Sequence, residues 1–154
     1  MKTADNVQLN KYMGTWFEIA RIDTPFQRGT FDSQAEYKQN KDGTVQITNS
    51  AINEYGEQTS AKAVGYVPDS NNTAKLRISF FRPFYSDYWI LDVDDDYQWA
   101  LVGTPNKRYM WILSRTPNID DIALMRILTT AKLLGFDTSK LLYNKNLRKL
   151  SKNK

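Results

Sequence analysis

The sequence predicts an all-β fold, an antiparallel meander of eight strands followed by one helix. Three observations carry that reading. Between residues 15 and 115, short runs of β-branched and aromatic residues alternate with turn-forming residues. After Arg115 the apolar spacing changes from a period of two to that of a helix. Within the runs, alternation collects small and aromatic side chains on one face.

The runs are 15–23, 33–39, 44–53, 59–67, 74–81, 87–94, 97–104 and 108–115. In the first, Trp16, Glu18 and Ala20 alternate and should point the same way, which sets Glu18 inward at the base. The gap that follows, TPFQRGTFD over 24–32, is the longest in the meander and is either a lid or simply a long loop. The next run gives Ala35 and Tyr37 on the inward face, and the third gives Val45, Ile47, Asn49 and Ala51. Ala61, Ala63 and Gly65 follow, then Leu76, Ile78 and Phe80, then Tyr88 and Ile90. The last two runs place Ala100 with Val102, and Tyr109 with Trp111 and Leu113. Between runs, Lys41-Asp42-Gly43, Glu54-Tyr55-Gly56, Pro68-Asp69-Ser70-Asn71-Asn72, Asp95-Asp96 and Pro105-Asn106-Lys107 carry the residues that tight turns need.

Thr116-Pro117 ends the last strand, and Asp120 is placed to cap a helix over 121–134. Leu124, Ile127, Leu128, Ala131 and Leu134 form one face of that helix, which should pack on the outside of the sheet. Gly135 then supplies a left-handed C-terminal position, with Phe136 as its apolar contact, and 140–143 adds a short edge strand. The chain thus reads as a single domain over 1–143 and a basic tail over 144–154, with no internal repeat.

A meander of this length closes into a barrel or splits into a sandwich. A solid interior would be filled with Leu, Ile and Val, whereas Ala35, Ala51, Ala61, Ala63 and Gly65 leave space. A closed eight-stranded barrel is wide enough to hold one small ligand. Periodicity alone leaves a hollow barrel and a packed barrel or sandwich both open.

Composition narrows the function. The 154 residues include no Cys and no His, which excludes disulfides, thiol nucleophiles, Ser-His-Asp catalysis and His-ligated haem. No cofactor and no metal are expected. The net charge is +4, but Lys145, Arg148, Lys149, Lys152 and Lys154 supply five positive charges at the C-terminus, leaving residues 1–144 at −1. The tail is either a polybasic segment that touches an anionic membrane surface or a frayed solubilising end. The body has no basic face of the kind nucleic-acid binding needs. No run of apolar residues is long enough to form a membrane-spanning helix, and the first residues lack a secretory apolar region. That start fits either a cytosolic protein or a processed mature chain.

GTWFEIARID, from Gly14 to Asp23, resembles the first signature of the lipocalin family, Gly-x-Trp at the start of the first strand. ILSRTP, from Ile112 to Pro117, is similar to its last-strand signature, and Asp94-Asp95-Asp96-Tyr97 approximates a third. SFFRPFYSDYWIL, ALVGTP and YMWILSRTP resemble the bacterial outer-membrane subgroup with its apolipoprotein D and plant temperature-induced relatives. The resemblance spans about residues 6–142. It implies an up-and-down β-barrel with a C-terminal helix outside, a helical turn over 6–13, and Arg115 stacked on Trp16 at the closed end. It also implies reversible carriage of a small hydrophobic ligand, a fatty acid or lysophospholipid, by a monomer or weak homodimer. Bacterial members are typically lipid-anchored in the cell envelope through an N-terminal Cys, which these residues do not include. The haem-binding and prostaglandin-isomerising branches use His or Cys, both absent here.

The expected ligand pocket comprises Ala35, Tyr37, Ile47, Asn49, Ala63, Ile78, Phe80, Tyr88, Ile90, Val102, Tyr109 and Trp111. Of these, Tyr37, Tyr88, Tyr109 and Trp111 either touch ligand or form a packed aromatic core. Glu18 and Arg82 are headgroup candidates, against structural ion pairing. Gly14, Trp16 and Arg115 are structural. Asp92, Asp94, Asp95 and Asp96 read as a solvated turn, since the ligand spacing of a calcium loop is missing. Two other classes stay open. One is a hydrolase or isomerase working through Asp, Glu, Tyr, Lys or Ser. The other is a packed interaction module that binds through the 81–85 loop or the tail.

Overall fold

The eight strands form, and they close on themselves. The computed structural model describes residues 1–81 and 84–152, with Phe80 and Phe81 described by backbone alone. The strands are β1 (Gly14–Ile22), β2 (Phe31–Gln39), β3 (Val45–Ile52), β4 (Gln58–Tyr66), β5 (Lys75–Phe81), β6 (Phe84–Val93), β7 (Trp99–Gly103) and β8 (Met110–Ser114). Each pairs antiparallel with the next, and β1 pairs with both β2 and β8. Gly14 to Phe17 face β2, while Phe17 to Arg21 face β8, so one bent strand joins the two edges. Closure satisfies both edge ladders and gives an up-and-down barrel rather than a sandwich. The edge run is β9 (Leu141–Tyr143), which pairs with Ala20 to Ile22 on the side of β1 away from β8, beyond the end of the β1–β2 ladder.

An antiparallel meander puts alternate connections at opposite ends. The β1–β2, β3–β4, β5–β6 and β7–β8 connections share one end, the mouth. At the other end the N-terminal segment and α1 (Leu9–Tyr12) close the barrel with Val7, Tyr12, Trp16 and Tyr97, all buried. The Arg115 guanidinium stacks 3.7 Å from the Trp16 ring and donates to the carbonyls of Tyr97, Thr15 and Lys11. Gly14 stands at φ +101°, where a side chain is strained and its Cβ would lie 3.3 Å from Arg115 Nη1.

The expected alternation fails in one place. Between Glu18 and Ala20 the β1–β8 register slips by one residue, a β-bulge at Ile19. Beyond it the faces exchange. Ala20 packs outward with Ile19 and Ile22, and Arg21 turns inward instead.

Helix α2 (Asp121–Leu133) covers the outside of the barrel with the expected face. Ile127 and Ala131 are buried against Leu91, Leu101, Met110 and Ile112, with Leu124, Leu128 and Leu134 partly buried beside them. Asp120 occupies the cap position, but its side chain makes no capping hydrogen bond. The helix ends in a Schellman motif: Phe136 N–H donates to the Ala131 carbonyl, Gly135 N–H to that of Lys132, and Gly135 has φ +95°. The Phe136 ring seats on Gly103, where a Cβ would lie 2.7 Å from Phe136 Cζ and 2.9 Å from Leu91 Cδ1. Gly103→Ala is therefore expected to destabilise the protein by about 1–3 kcal/mol through overpacking, read from the urea midpoint.

Residues 144–152 are not a frayed end. They form helix α3 (Asn144–Lys152), docked on the start of β2. Asp32 accepts from Asn144 Nδ2 at 2.9 Å and from Arg148 Nε at 2.9 Å, and its backbone N–H donates to Asn144 Oδ1 at 2.6 Å. Partial burial raises the Asp32 pKa, but the Arg148 and Asn144 hydrogen bonds and the charges of Arg148 and Lys152 outweigh it, holding the carboxyl below its ordinary range. Asp32 begins β2 at the mouth end, so α3 lies beside the opening.

Candidate functional site

The barrel interior divides into a floor, a wall and a mouth. Ala35, Tyr37, Ile47, Ala63, Ile78, Ile90 and Val102 fall in one inner cluster with Val45, Leu76, Ala100 and Leu113. All of these are buried. Tyr88 and Trp111 pack against the cluster but are only half-buried. Tyr109 stacks on Trp111 with ring centroids 6.4 Å apart and is also half-buried. Asn49 pairs with Ala35 on one side and Ala61 on the other, so it shares their inward face. It is half-buried, and its side-chain amide has no hydrogen-bond partner among the described residues. Ala61 is exposed. Solvent therefore enters from the mouth and reaches these inward groups, whereas Val45, Ile90, Ala100 and Val102 nearer the closed end are sealed. The interior is a cup. Arg82 lies outside the described residues, as does the side chain of Phe80.

Three tyrosine hydroxyls meet at the floor. Tyr88 Oη lies 2.6 Å from Tyr12 Oη and 2.8 Å from Tyr37 Oη. The rings are held by neighbours: Tyr12 is 5.1 Å from Trp16, 5.5 Å edge-on from Tyr37, and Tyr37 is 6.1 Å from Tyr88. Burial pushes the Tyr12 and Tyr88 hydroxyls well above the usual tyrosine value and Tyr37 up to about 12, so all three keep their protons at neutral pH.

The mouth is organised by a buried ion pair that alternation did not foresee. Glu18 is inward, as expected, but it lies toward the mouth and not at the base. The bulge brings Arg21 beside it, Nη1 to Oε2 at 2.8 Å, with both side chains almost wholly buried. Arg21 Nε donates to Asp23 at 2.9 Å, and Nη2 donates to the carbonyls of Gln27 and Thr30. Gln27 completes the circuit: Nε2 donates to Glu18 Oε1 at 2.8 Å, and Oε1 accepts from Trp111 Nε1 at 2.9 Å. The long 24–30 loop is thereby stitched to the barrel wall and to an aromatic ring of the lumen. Burial raises the Glu18 carboxyl above its ordinary range, against the opposing Arg21 charge and the hydrogen bonds from Arg21 and Gln27.

Sequence reasoning missed Tyr12, Arg21 and Gln27. Tyr12 precedes the first strand, and Gln27 sits in a loop with no period. Arg21 had a signal, because Ile19, Ala20 and Ile22 together break the period of two that 15–18 set up. Asp94 serves its own turn: its carbonyl accepts from Tyr97 N–H and its carboxylate from Gln98 N–H. A separate polar groove of about 490 Å³ runs between residues 2–8 and 91–95, and none of Glu18, Arg21, Tyr37, Tyr88 and Trp111 lines it.

Comparison with known proteins agrees with this geometry. Residues 7–146 match the model of the lipocalin-like domain. The chain is 37% identical over 145 residues to the outer membrane lipoprotein Blc of Vibrio cholerae, covering 93% of this chain and 85% of that protein. It is 38% identical over 140 residues to the Blc protein of Escherichia coli K12, covering 90% and 79% respectively. Temperature-induced lipocalin-1 of Arabidopsis thaliana is 34% identical over 150 residues, covering 92% and 80%. Among solved structures, insecticyanin of Manduca sexta superposes with a TM-score of 0.77 over 94% of this chain and 83% of that one, at 22% identity, which is a likeness of fold. With its closed barrel, Trp16–Arg115 stopper and open cup, this chain belongs to the lipocalin family and binds a small hydrophobic ligand.

Proposed function

We propose that the cup carries a single acyl chain, as a fatty acid or lysophospholipid, without chemical conversion. The carrying observation is the gradient along the lumen: a buried apolar lower half beneath half-buried Tyr109, Trp111 and Asn49. Ten methylenes buried there are worth roughly 8 kcal/mol before the cost of ordering the chain. Glu18, the carboxylate inside the barrel, is committed to Arg21 and Gln27, which supports a carrier over a catalyst. Fatty acids and lysophospholipids are expected to displace a fluorescent fatty acid at one equivalent per chain, with a co-purifying lipid visible by native mass spectrometry. Failure of every acyl probe to bind overturns the reading.

The same mouth favours contact with an anionic membrane surface. Phe26 and Tyr55 are exposed on its connections and Phe84 at the start of β6, and α3 presents Lys145, Lys149 and Lys152 beside it. Each basic residue near acidic lipid contributes about 1 kcal/mol. The protein is expected to sediment with phosphatidylglycerol-containing vesicles at low salt and not with pure phosphatidylcholine vesicles.

A further inference from the structure

The three floor hydroxyls carry one proton more than they can use. Tyr12, Tyr37 and Tyr88 bring three O–H donors and make two mutual hydrogen bonds, with Tyr88 at the centre of both. Each bond consumes one donor, so every arrangement of the protons leaves one O–H with no acceptor among them. No other protein acceptor lies within hydrogen-bond distance of these oxygens among the described residues. A buried donor left unpaired is costly, and the ring contacts hold the three oxygens at this position. Tyr88, half-buried where the other two are sealed, is the member that reaches the lumen.

Two further features point the same way. Asn49 lies on the inward face one layer nearer the mouth, since Ile47 pairs with Tyr37 and Asn49 with Ala35. Its amide is unpartnered among the described residues and offers both a donor and an acceptor. Below the floor, Arg115 has no carboxylate within ion-pair distance among the described residues and spends its donors on carbonyls. At the mouth the balance is opposite: Glu18 and Asp23 place two carboxylates around the single guanidinium of Arg21.

We propose that the floor is a subsite for the carboxyl group of a fatty acid, which enters the cup head first and leaves its methyl end toward the mouth. The inference rests on the acyl-carrier reading and narrows it to the free acid, because the acyl carboxyl of a lysophospholipid is esterified and has no O–H to donate. The bound acid is neutral, as burial of an unpaired carboxylate is costly. Its carbonyl oxygen accepts the surplus tyrosine O–H, and its own O–H donates to a free lone pair on a tyrosine oxygen or on the Asn49 amide oxygen. No covalent bond changes.

The wild-type protein tests this directly with palmitic acid labelled with 13C at the carboxyl carbon in one sample and at the methyl carbon in another. With a soluble paramagnetic agent, the bound carboxyl signal is expected to stay sharp and not to titrate between about pH 5 and 8, while the methyl signal broadens. A carboxyl signal that broadens and titrates, above a protected methyl, overturns the head-first orientation and leaves acyl carriage standing. Absence of any complex overturns both. As a second arm, Tyr88→Phe is expected to weaken palmitic acid binding about tenfold, the worth of one well-made hydrogen bond, with little effect on palmitoyl lysophosphatidylcholine. Equal losses for the two ligands overturn the subsite.

Discussion

Arg21→Met is expected to lower stability by about 3–5 kcal/mol at pH 7, because it leaves the Glu18 carboxylate buried without its counter-charge. Glu18→Gln is expected to change stability by no more than about 1 kcal/mol, since the amide oxygen still accepts from Arg21 and removes a charge that burial disfavours. The asymmetry comes from Asp23, which continues to neutralise Arg21 when Glu18 is gone, while Gln27 alone remains beside Glu18 when Arg21 is gone. The pH dependence follows from the direction of the Glu18 shift. Its folded-state pKa lies above the ordinary value near 4.3, so its favourable contribution is complete below that value and is lost as pH rises through the raised one. Removing Arg21 raises it further, so the Arg21→Met deficit should shrink between pH 7 and pH 5. Urea unfolding at the two pH values measures both effects. A Glu18→Gln loss larger than that of Arg21→Met would falsify the proposed division of charge.

Trp16→Ala and Trp111→Ala are expected to separate stability from binding. Trp16 is fully buried, donates Nε1 to the Tyr12 carbonyl at 2.8 Å and carries Arg115 on its face. Its truncation opens a cavity at the closed end and costs about 3–5 kcal/mol. Trp111 is half-buried beside Tyr109, with its indole N–H on Gln27. Its loss costs less stability, yet it is expected to weaken acyl binding about tenfold, the equivalent of roughly two lost methylene contacts. Binding is compared at equal folded fraction, using fluorescent fatty acid titrations below the unfolding transition of each variant. If Trp16→Ala produces the larger selective loss of affinity, the assignment of these two rings to floor and lumen is wrong.

Much of the cup was legible because strand periodicity is a local property. Tyr37, Ile47, Ala63, Ile78, Ile90 and Val102 could be assigned to one face from spacing alone, and each lies in the inner cluster. The α2 face was equally plain, with Ile127 and Ala131 four apart and both buried. Glu18 was read inward correctly and at the wrong height. Ala20 was read on the wrong face, because a single inserted residue in a strand reverses every side chain after it and leaves only a faint break in pattern. The basic end looked like a solvated tail, yet Arg148 finds Asp32 a hundred and sixteen positions away. Nothing within the tail itself announces that partner.

The sequence by itself determined the number and order of the strands, the turns between them, the outer helix with its glycine stop, and the absence of Cys and His chemistry. Those depend on backbone preferences and on side-chain period, which neighbours along the chain set. Tertiary structure decided closure of β1 against both β2 and β8, the turn of Arg21 into the barrel, and the meeting of Tyr12, Tyr37 and Tyr88. These features join groups far apart in the chain, such as Phe17 with Ser114 and Tyr12 with Tyr88. Their energies come from burial and pairing, which exist only once distant strands have been brought together.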